Sequence, residues 1–118
     1  KKTTAVPQAK SIAEAIGHVG ERTETNMKIL AVDDDELIRE ILGATLEAHG
    51  YTEVTMADCG EDALRKIAAA PQPFDGFMFD IQMPGMDGTE LCQQVRQMEQ
   101  YKNSPVIMIT AMNNKEYV

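Results

Sequence analysis

The sequence predicts an α/β fold: a doubly wound parallel sheet with helices on both faces. Apolar runs of strand length alternate with segments whose apolar residues recur at helical spacing, in the order strand, helix, strand, helix, strand, helix, strand. The runs end in carboxylates or turn-forming residues, as buried parallel strands do. A length of 118 residues suits one globular domain with its own core.

The first predicted strand and helix lie on either side of three consecutive aspartates. KILAV (28–32) predicts a buried strand, and the segment after the aspartates predicts a helix that Gly50 stops. The apolar residues at helical spacing in that helix are Leu37, Ile38, Ile41, Leu42 and Leu46. EVTMA (53–57) predicts a second, weaker strand, and GEDALRKIAAA (60–70) predicts a second helix that ends at Pro71.

The second half of the chain continues the same alternation. FDGFMFD (74–80) predicts a third strand that runs into Asp80, and the following IQMPGMDG has the composition of a turn. TELCQQVRQMEQY (89–101) predicts a third helix and PVIMIT (105–110) a fourth strand. Residues 111–118 are then predicted to begin a further helix.

Residues 1–26 are predicted to be a leader or linker that precedes the domain at 27–118. The leader carries a net charge of +1, whereas the whole chain carries −8, so the remaining residues hold −9. Within the leader, SIAEAIGHVG predicts a short helix between polar linkers. Met27 follows the leader directly and could be a native start.

The composition excludes several classes of function. A net charge of −8 argues against binding to nucleic acid or to an anionic membrane, because both require clustered Lys and Arg. No apolar stretch approaches the length that spans a bilayer, and the first ten residues lack the apolar core of a signal peptide. Cys59 and Cys92 are too few for a secreted disulfide framework, and neither has the spacing of a reactive thiol site. A cytoplasmic location is the default expectation.

Carboxylates at the strand ends are the strongest chemical signal. If the first and third predicted strands are neighbours, Asp33 or Asp34 converges with Asp80 at the carboxyl edge of the sheet, where ligands bind in such folds. Two carboxylates ~4 Å apart repel by about 4 kcal/mol at an effective dielectric constant of about 20, which a cation relieves. Oxygen ligands without nearby His or Cys favour Mg²⁺ over zinc. Asp35 is instead predicted to cap the helix that begins at Glu36.

Three separated motifs resemble the response-regulator receiver domain of two-component signalling. They are KILAVDDDELIREIL, FDGFMFDIQMPGMDG and SPVIMITA, and the resemblance covers residues 28–118 almost continuously. It implies that Asp80 accepts a phosphoryl group and that Asp33 and Asp34 hold Mg²⁺. It also implies that the backbone carbonyl of Gln82 completes the metal ligands and that Thr110 is the switch hydroxyl.

The same resemblance implies a flavodoxin-like sheet with strand order 2-1-3-4. In the family a fifth strand ending in a Lys-Pro pair and a fifth helix follow, whereas this sequence stops within the fourth helix, so we expect both to be missing from this chain. Lys115 is not a substitute by resemblance because it falls in that helix. The strand 105–110 is then expected to be an exposed sheet edge, covered by the leader helix or by a second copy in a homodimer.

Further residues are expected to act on the phosphoryl group. Thr110 and the backbone N–H of Ala111 are placed to contact one phosphoryl oxygen while Mg²⁺ covers another. Gln82 and Met112, each two residues after a site residue, are expected to set the lifetime of the phosphoryl group. Met112 cannot orient water by hydrogen bonding, which predicts slower hydrolysis than an acidic residue at that position would give.

Taken together, the sequence predicts a signalling phosphoacceptor rather than an enzyme. A sensor histidine kinase or a histidine phosphotransfer protein would donate the phosphoryl group to Asp80 in the presence of Mg²⁺. One alternative keeps the fold without the chemistry, as a truncated pseudo-receiver that acts in protein interaction or dimerisation. A third hypothesis is a Mg²⁺-dependent phosphohydrolase with an aspartate nucleophile, against which Gln82 and Gly85 count strongly.

Overall fold

The computed structural model of the chain describes residues 4–6 and 25–109. Five strands and three helices form in these ranges, together with a single 3₁₀ turn at Glu99–Tyr101. The strands are β1 (Thr4–Val6), β2 (Thr25–Val32), β3 (Tyr51–Ala57), β4 (Gly76–Asp80) and β5 (Val106–Ile109). The helices are α1 (Glu36–Ala48), α2 (Gly60–Ala69) and α3 (Gly88–Arg96). None of the described helices has the length and apolar character needed to cross a bilayer.

All strand pairs of the sheet are parallel, and the strand order is β1-β5-β4-β2-β3. The predicted order 2-1-3-4 is confirmed, because the four predicted strands correspond to β2, β3, β4 and β5. The register pairs Val32 with Phe79 across β2 and β4, and Asp80 with Ile109 across β4 and β5. The residues that follow these strands therefore emerge at one edge of the sheet.

The expectation that residues 105–110 form an exposed sheet edge is wrong for the described strand. Leader residues Thr4–Val6 form β1, which pairs with the outer side of β5. A three-residue strand carries no periodic pattern, so the sequence offered no signal for it. The helix predicted within residues 11–20 lies outside the described residues.

The predicted third helix is shorter than its apolar pattern suggested. It ends at Arg96, and Met98 then adopts an extended backbone (φ −83°, ψ 126°) before the 3₁₀ turn. The guanidinium of Arg96 donates to the main-chain carbonyls of Tyr101 (3.1 Å), Lys102 (3.3 Å) and Ser104 (2.6 Å). These bonds satisfy carbonyls that a continued helix would have paired internally, so the chain turns here towards β5.

Short polar residues fix the helix starts as predicted. The Asp35 carboxylate accepts from the backbone N–H groups of Leu37 (2.8 Å) and Ile38 (3.3 Å), which confirms it as the cap of α1. Asp87 caps α3 in the same way by accepting from Glu90 N–H at 2.9 Å. At the other end of α1, Gly50 takes the positive φ of 91° expected for a glycine that stops a helix.

The apolar core forms two layers, one on each face of the sheet. Leu42 and Leu46 of α1 cover one face, and buried residues of α2 and α3 cover the other. The central strand β4 is buried along its whole length. Leu37 and Ile41 differ from the other apolar residues of α1, because they remain 61% and 41% exposed. The apolar residues of α1 therefore extend beyond the side of the helix that packs against the sheet.

Candidate functional site

The carboxylates of Asp33, Asp34 and Asp80 lie together at the carboxyl edge of the sheet. Each offers an oxygen within 4.8 Å of an oxygen from the other two. Asp33 and Asp34 follow β2, and Asp80 ends β4, which is the direct neighbour of β2. The structure therefore brings together the three carboxylates that the sequence placed at strand ends.

The site is buried on one side and open on the other. Asp33 and Asp80 are each 1% exposed, whereas Asp34 is exposed. Two carboxylates held apart from water at this separation repel strongly and need a compensating charge. Asp34 is therefore the carboxylate of the three that solvent reaches directly.

Backbone N–H groups orient the two buried carboxylates. Asp33 Oδ1 accepts from the N–H of Asp35 at 2.9 Å, and Asp80 Oδ1 accepts from the N–H of Gln82 at 3.2 Å. In both cases the donor lies two residues after the aspartate, so the turn that follows the strand fixes the side chain. Gln82 therefore contacts Asp80 through its main chain, in addition to the metal-ligand role expected of its carbonyl.

Gly88 holds the loop after β4 against the end of that strand. A Cβ atom at this position would lie 2.1 Å from the carbonyl oxygen of Asp80 and 2.8 Å from its carbonyl carbon. The N–H of Gly88 donates to the carbonyl of Ile81 at 2.9 Å. The glycine with a positive φ in this turn is Gly85 (76°). A glycine is therefore required at position 88 because a side chain has no room there, and not because the backbone needs a positive φ.

Arg39 is a residue at the site that sequence reasoning missed. Its guanidinium Nη1 donates to the main-chain carbonyl of Asp33 at 2.8 Å. The residue lies on the first turns of α1, whose start is fixed by Asp35, and its N–H donates to the Asp35 carbonyl at 3.0 Å. The signal that could have identified it is a basic residue in the first two turns of a helix, where that helix follows a strand that ends in acidic residues. Arg39 thus holds the main chain at the point where β2 passes into the carboxylate cluster.

The cysteines and the neighbouring loop have structural roles. Cys59 is the N-cap of α2, and its Sγ accepts from the N–H of Asp62 at 3.4 Å, while Cys92 is buried in α3. Gly60 follows Cys59, and a Cβ there would lie 2.6 Å from the sulfur of Met86. This contact joins the loop after β3 to the loop after β4.

Other residues that the sequence assigned to the site fall outside the described ranges. They are Thr110, Ala111 and Met112. The last described residue before them, Ile109, pairs with Asp80, and its carbonyl accepts from the N–H of Ile81 at 3.0 Å.

The arrangement suits an oxygen-binding divalent cation. Three carboxylates within reach of one point provide hard anionic ligands, and no His or Cys joins them among the described residues. Mg²⁺ prefers such ligands, and it keeps several waters when one side of its site is open. A buried carboxylate at a strand end can also act as a nucleophile when a cation neutralises the negative charge of its substrate.

Comparison with known proteins gives a consistent match. Residues 29–118 match the family model of the response regulator receiver domain. Over 90 residues the chain is 42% identical to the alkaline phosphatase synthesis transcriptional regulatory protein PhoP of Bacillus subtilis, covering 76% of this chain and 35% of that protein. Over 93 residues it is 39% identical to chemotaxis protein CheY-3 of Vibrio cholerae, covering 79% of this chain and 70% of that protein.

A solved structure agrees with these sequence matches. The structure of Vibrio cholerae chemotaxis protein CheY4, crystallised at low pH, is 40% identical, with a TM-score of 0.68, covering 79% of this chain and 75% of that one. The chain thus spans about a third of the length of PhoP and most of the length of the two chemotaxis proteins.

The contact between Gly88 and Asp80 leads to a stability prediction. Gly88→Ala forces a methyl group against backbone atoms that cannot yield, so we expect the free energy of unfolding to fall by about 2–3 kcal/mol. Gly43→Ala is the control: there a Cβ meets only the end of the Met56 side chain at 3.2 Å, and alanine favours the helix. Urea denaturation of both variants measures the difference. Equal stabilities would contradict the steric role of Gly88.

Proposed function

The chain belongs to the response regulator receiver domain family, and on that premise we propose that it is a phosphorylation-controlled switch with Asp80 as the phosphoacceptor. The observation that carries the proposal is the meeting of Asp33, Asp34 and Asp80 within 4.8 Å at the end of two adjacent strands. Asp80 is the residue of the three that ends the central, fully buried strand, and it faces the two others. The family consists of signalling proteins and not of conventional enzymes.

The proposed chemistry is transfer of a phosphoryl group to a carboxylate. An oxygen of Asp80 attacks phosphorus, and the bond from phosphorus to the donor's leaving atom breaks, with its electron pair passing to the donor. Positioning and charge neutralisation lower the barrier of such a reaction. Mg²⁺ held by Asp33, Asp34 and Asp80 would neutralise charge on the phosphoryl oxygens. The Gln82 N–H bond to Asp80 Oδ1 orients the carboxylate.

The donor and the response follow from the same proposal. The donor is a sensor histidine kinase or a histidine phosphotransfer protein in the cytoplasm, and it approaches from the open side at Asp34. Thr110 and the N–H of Ala111, directly after β5, are proposed to contact the phosphoryl group. Their movement would transmit the effect of the added charge at Asp80 to the surface formed by the residues after β5.

We expect Asp80→Asn to abolish phosphorylation. Incubation with Mg²⁺ and a small-molecule phosphodonor should add one phosphoryl group to the wild-type chain, as an acid-labile adduct seen by intact mass spectrometry. Asp58→Asn is the matched control, since Asp58 follows β3 at the same edge but is exposed and lies outside the carboxylate cluster. It should keep the adduct.

Other outcomes of the same experiment separate the alternatives. No adduct in the wild-type chain with Mg²⁺ would favour a pseudo-receiver that acts in protein interaction. Repeated turnover of an organic phosphate would favour a phosphohydrolase. An adduct that survives Asp80→Asn would place the phosphoacceptor elsewhere.

Arg39 should matter more without Mg²⁺ than with it. Arg39→Gln weakens the hydrogen bond to the Asp33 carbonyl in either buffer, and it also removes a positive charge near the carboxylates that bound Mg²⁺ would otherwise outweigh. Its cost of about 1 kcal/mol of stability should therefore be larger in metal-free buffer than with Mg²⁺. Arg65→Gln is the control, because Arg65 lies on the surface of α2 and pairs with Asp62. Its cost should be the same in both buffers. Equal costs for Arg39→Gln with and without Mg²⁺ would contradict the electrostatic role.

The lifetime of the phosphoryl group is proposed to depend on residues 82 and 112. Met112 offers no hydrogen bond to an attacking water, whereas a carboxylate can orient one. Met112→Glu should therefore hydrolyse its aspartyl phosphate several-fold faster, as followed by loss of the adduct over time, with Met112→Leu as the apolar control. An unchanged or slower rate in Met112→Glu would refute this role.

A further inference from the structure

The side chain of Met86 lies in a slot that the missing side chain of Gly60 leaves at the start of α2. A Cβ atom built at position 60 would lie 2.6 Å from Sδ of Met86 and 3.0 Å from both its Cβ and its Cγ. Rotation of the Met86 side chain moves Sδ and Cγ, but its Cβ moves only with the main chain. The contact therefore joins the backbone of the turn after Asp80 to the first residue of α2.

The contact connects segments that follow two non-adjacent strands, because β2 lies between β3 and β4 in the sheet. Gly60 is buried, and Met86 packs against the core cluster on the α2 and α3 face of the sheet. The segment between β3 and α2 also supports the main chain at Asp33, whose N–H donates to the carbonyl of Ala57 at 3.2 Å. One short segment, residues 57–60, thus contacts both Asp33 and the turn that follows Asp80.

The turn between Asp80 and α3 is held at both ends, whereas its tip is open. At its start the N–H of Gln82 donates to Asp80 Oδ1, and at its end Gly88 packs against the Asp80 carbonyl. A Cβ atom at Gly85 would have no described residue within 4 Å apart from its chain neighbours. Met86 follows this open tip directly and is the point at which the turn meets α2.

We propose that Met86 is a positioning residue for the phosphoacceptor. By filling the slot at Gly60, it holds the turn that orients the Asp80 carboxylate relative to Asp33. This inference rests on the proposed function of Asp80. A displaced turn would carry the Gln82 N–H with it and so change the direction of the carboxylate. A misplacement of about 1 Å in a reacting geometry can lower a rate about 100-fold.

Three variants test the contact from both of its partners. Met86→Ala empties the slot, and Gly60→Ala blocks it. The double variant also blocks the slot, but it removes Sδ and Cγ, so the new methyl group meets only the Cβ at position 86. A smaller shift then suffices, and the double variant should be less impaired than Gly60→Ala alone. Two independent substitutions would instead add their effects.

Each single substitution has a matched control. Gly43→Ala also adds a methyl group to a helix beside a methionine, but there it meets only the terminal methyl of Met56 at 3.2 Å. Met98→Ala removes a methionine that packs against the same core cluster as Met86 but lies beyond the end of α3. Urea denaturation identifies conditions under which every variant is folded.

The first measurement is amide hydrogen exchange at Gln82 in metal-free buffer. The amide of Asp35 is the internal reference, because its bond to Asp33 Oδ1 lies outside the turn. The second measurement is the rate constant of adduct formation with Mg²⁺ and acetyl phosphate. The exchange measurement needs no phosphorylation, so it tests the positioning role even if Asp80 accepts no phosphoryl group.

In Met86→Ala we expect exchange at Gln82 to rise about five-fold, with Asp35 unchanged, and adduct formation to slow several-fold. In Gly60→Ala we expect adduct formation to slow by at least about ten-fold, and the double variant should recover part of the rate. Both controls should match the wild-type chain.

Wild-type exchange at Gln82 in both single variants would overturn the positioning role. So would wild-type rates of adduct formation in both, or a double variant slower than Gly60→Ala. Absence of an adduct from the wild-type chain would instead count against the proposed function, while the exchange at Gln82 would still decide the positioning role.

Discussion

Repulsion among three carboxylates at one end of the sheet is the constraint on which the rest of the structure depends. Two of them, Asp33 and Asp80, are buried away from water. A charge without compensation is most costly in such a buried position. A fold that tolerates this must hold the side chains rigidly and provide nearby positive charge. The strand pairing supplies rigidity, because β2 pairs with β4 up to Val32 and Phe79, and Asp80 itself pairs with Ile109 of β5. Arg39 bonds to the main-chain carbonyl of Asp33, and a divalent cation would supply the compensating charge.

Rigidity at the site comes mainly from the main chain. Each buried carboxylate accepts from an N–H two residues further along, so its orientation is set by a turn and not by side-chain packing. Gly88 holds the turn after Asp80 in place, because its missing side chain lets the start of α3 approach the end of β4. Asp87 then caps α3. Local contacts thus connect the start of α3 to the orientation of the Asp80 carboxylate.

The sequence predicted those features whose cause is local. The alternation of apolar runs with helical spacing identified the four strands β2 to β5, and Asp35 marked the start of α1. The convergence of the carboxylates followed from one assumption about which strands are neighbours. Arg39, Gly88 and β1 depend on contacts made only after folding. Arg39 reaches back to a carbonyl six residues earlier, and the three residues of β1 have no period to detect.

The burial of β4 determines where a change at Asp80 can be accommodated. This strand is covered on both faces, with Phe77 packed against Phe74, Phe79 and Tyr101. Close-packed interiors resist displacement, so added charge on Asp80 cannot be met by movement of the strand. The described parts that close packing does not hold in this way are Asp34, which is exposed, and the partly exposed turn after Asp80. Because Ile109 pairs with both Asp80 and Val6, any rearrangement that shifts the end of β5 also acts on the leader strand at the sheet edge.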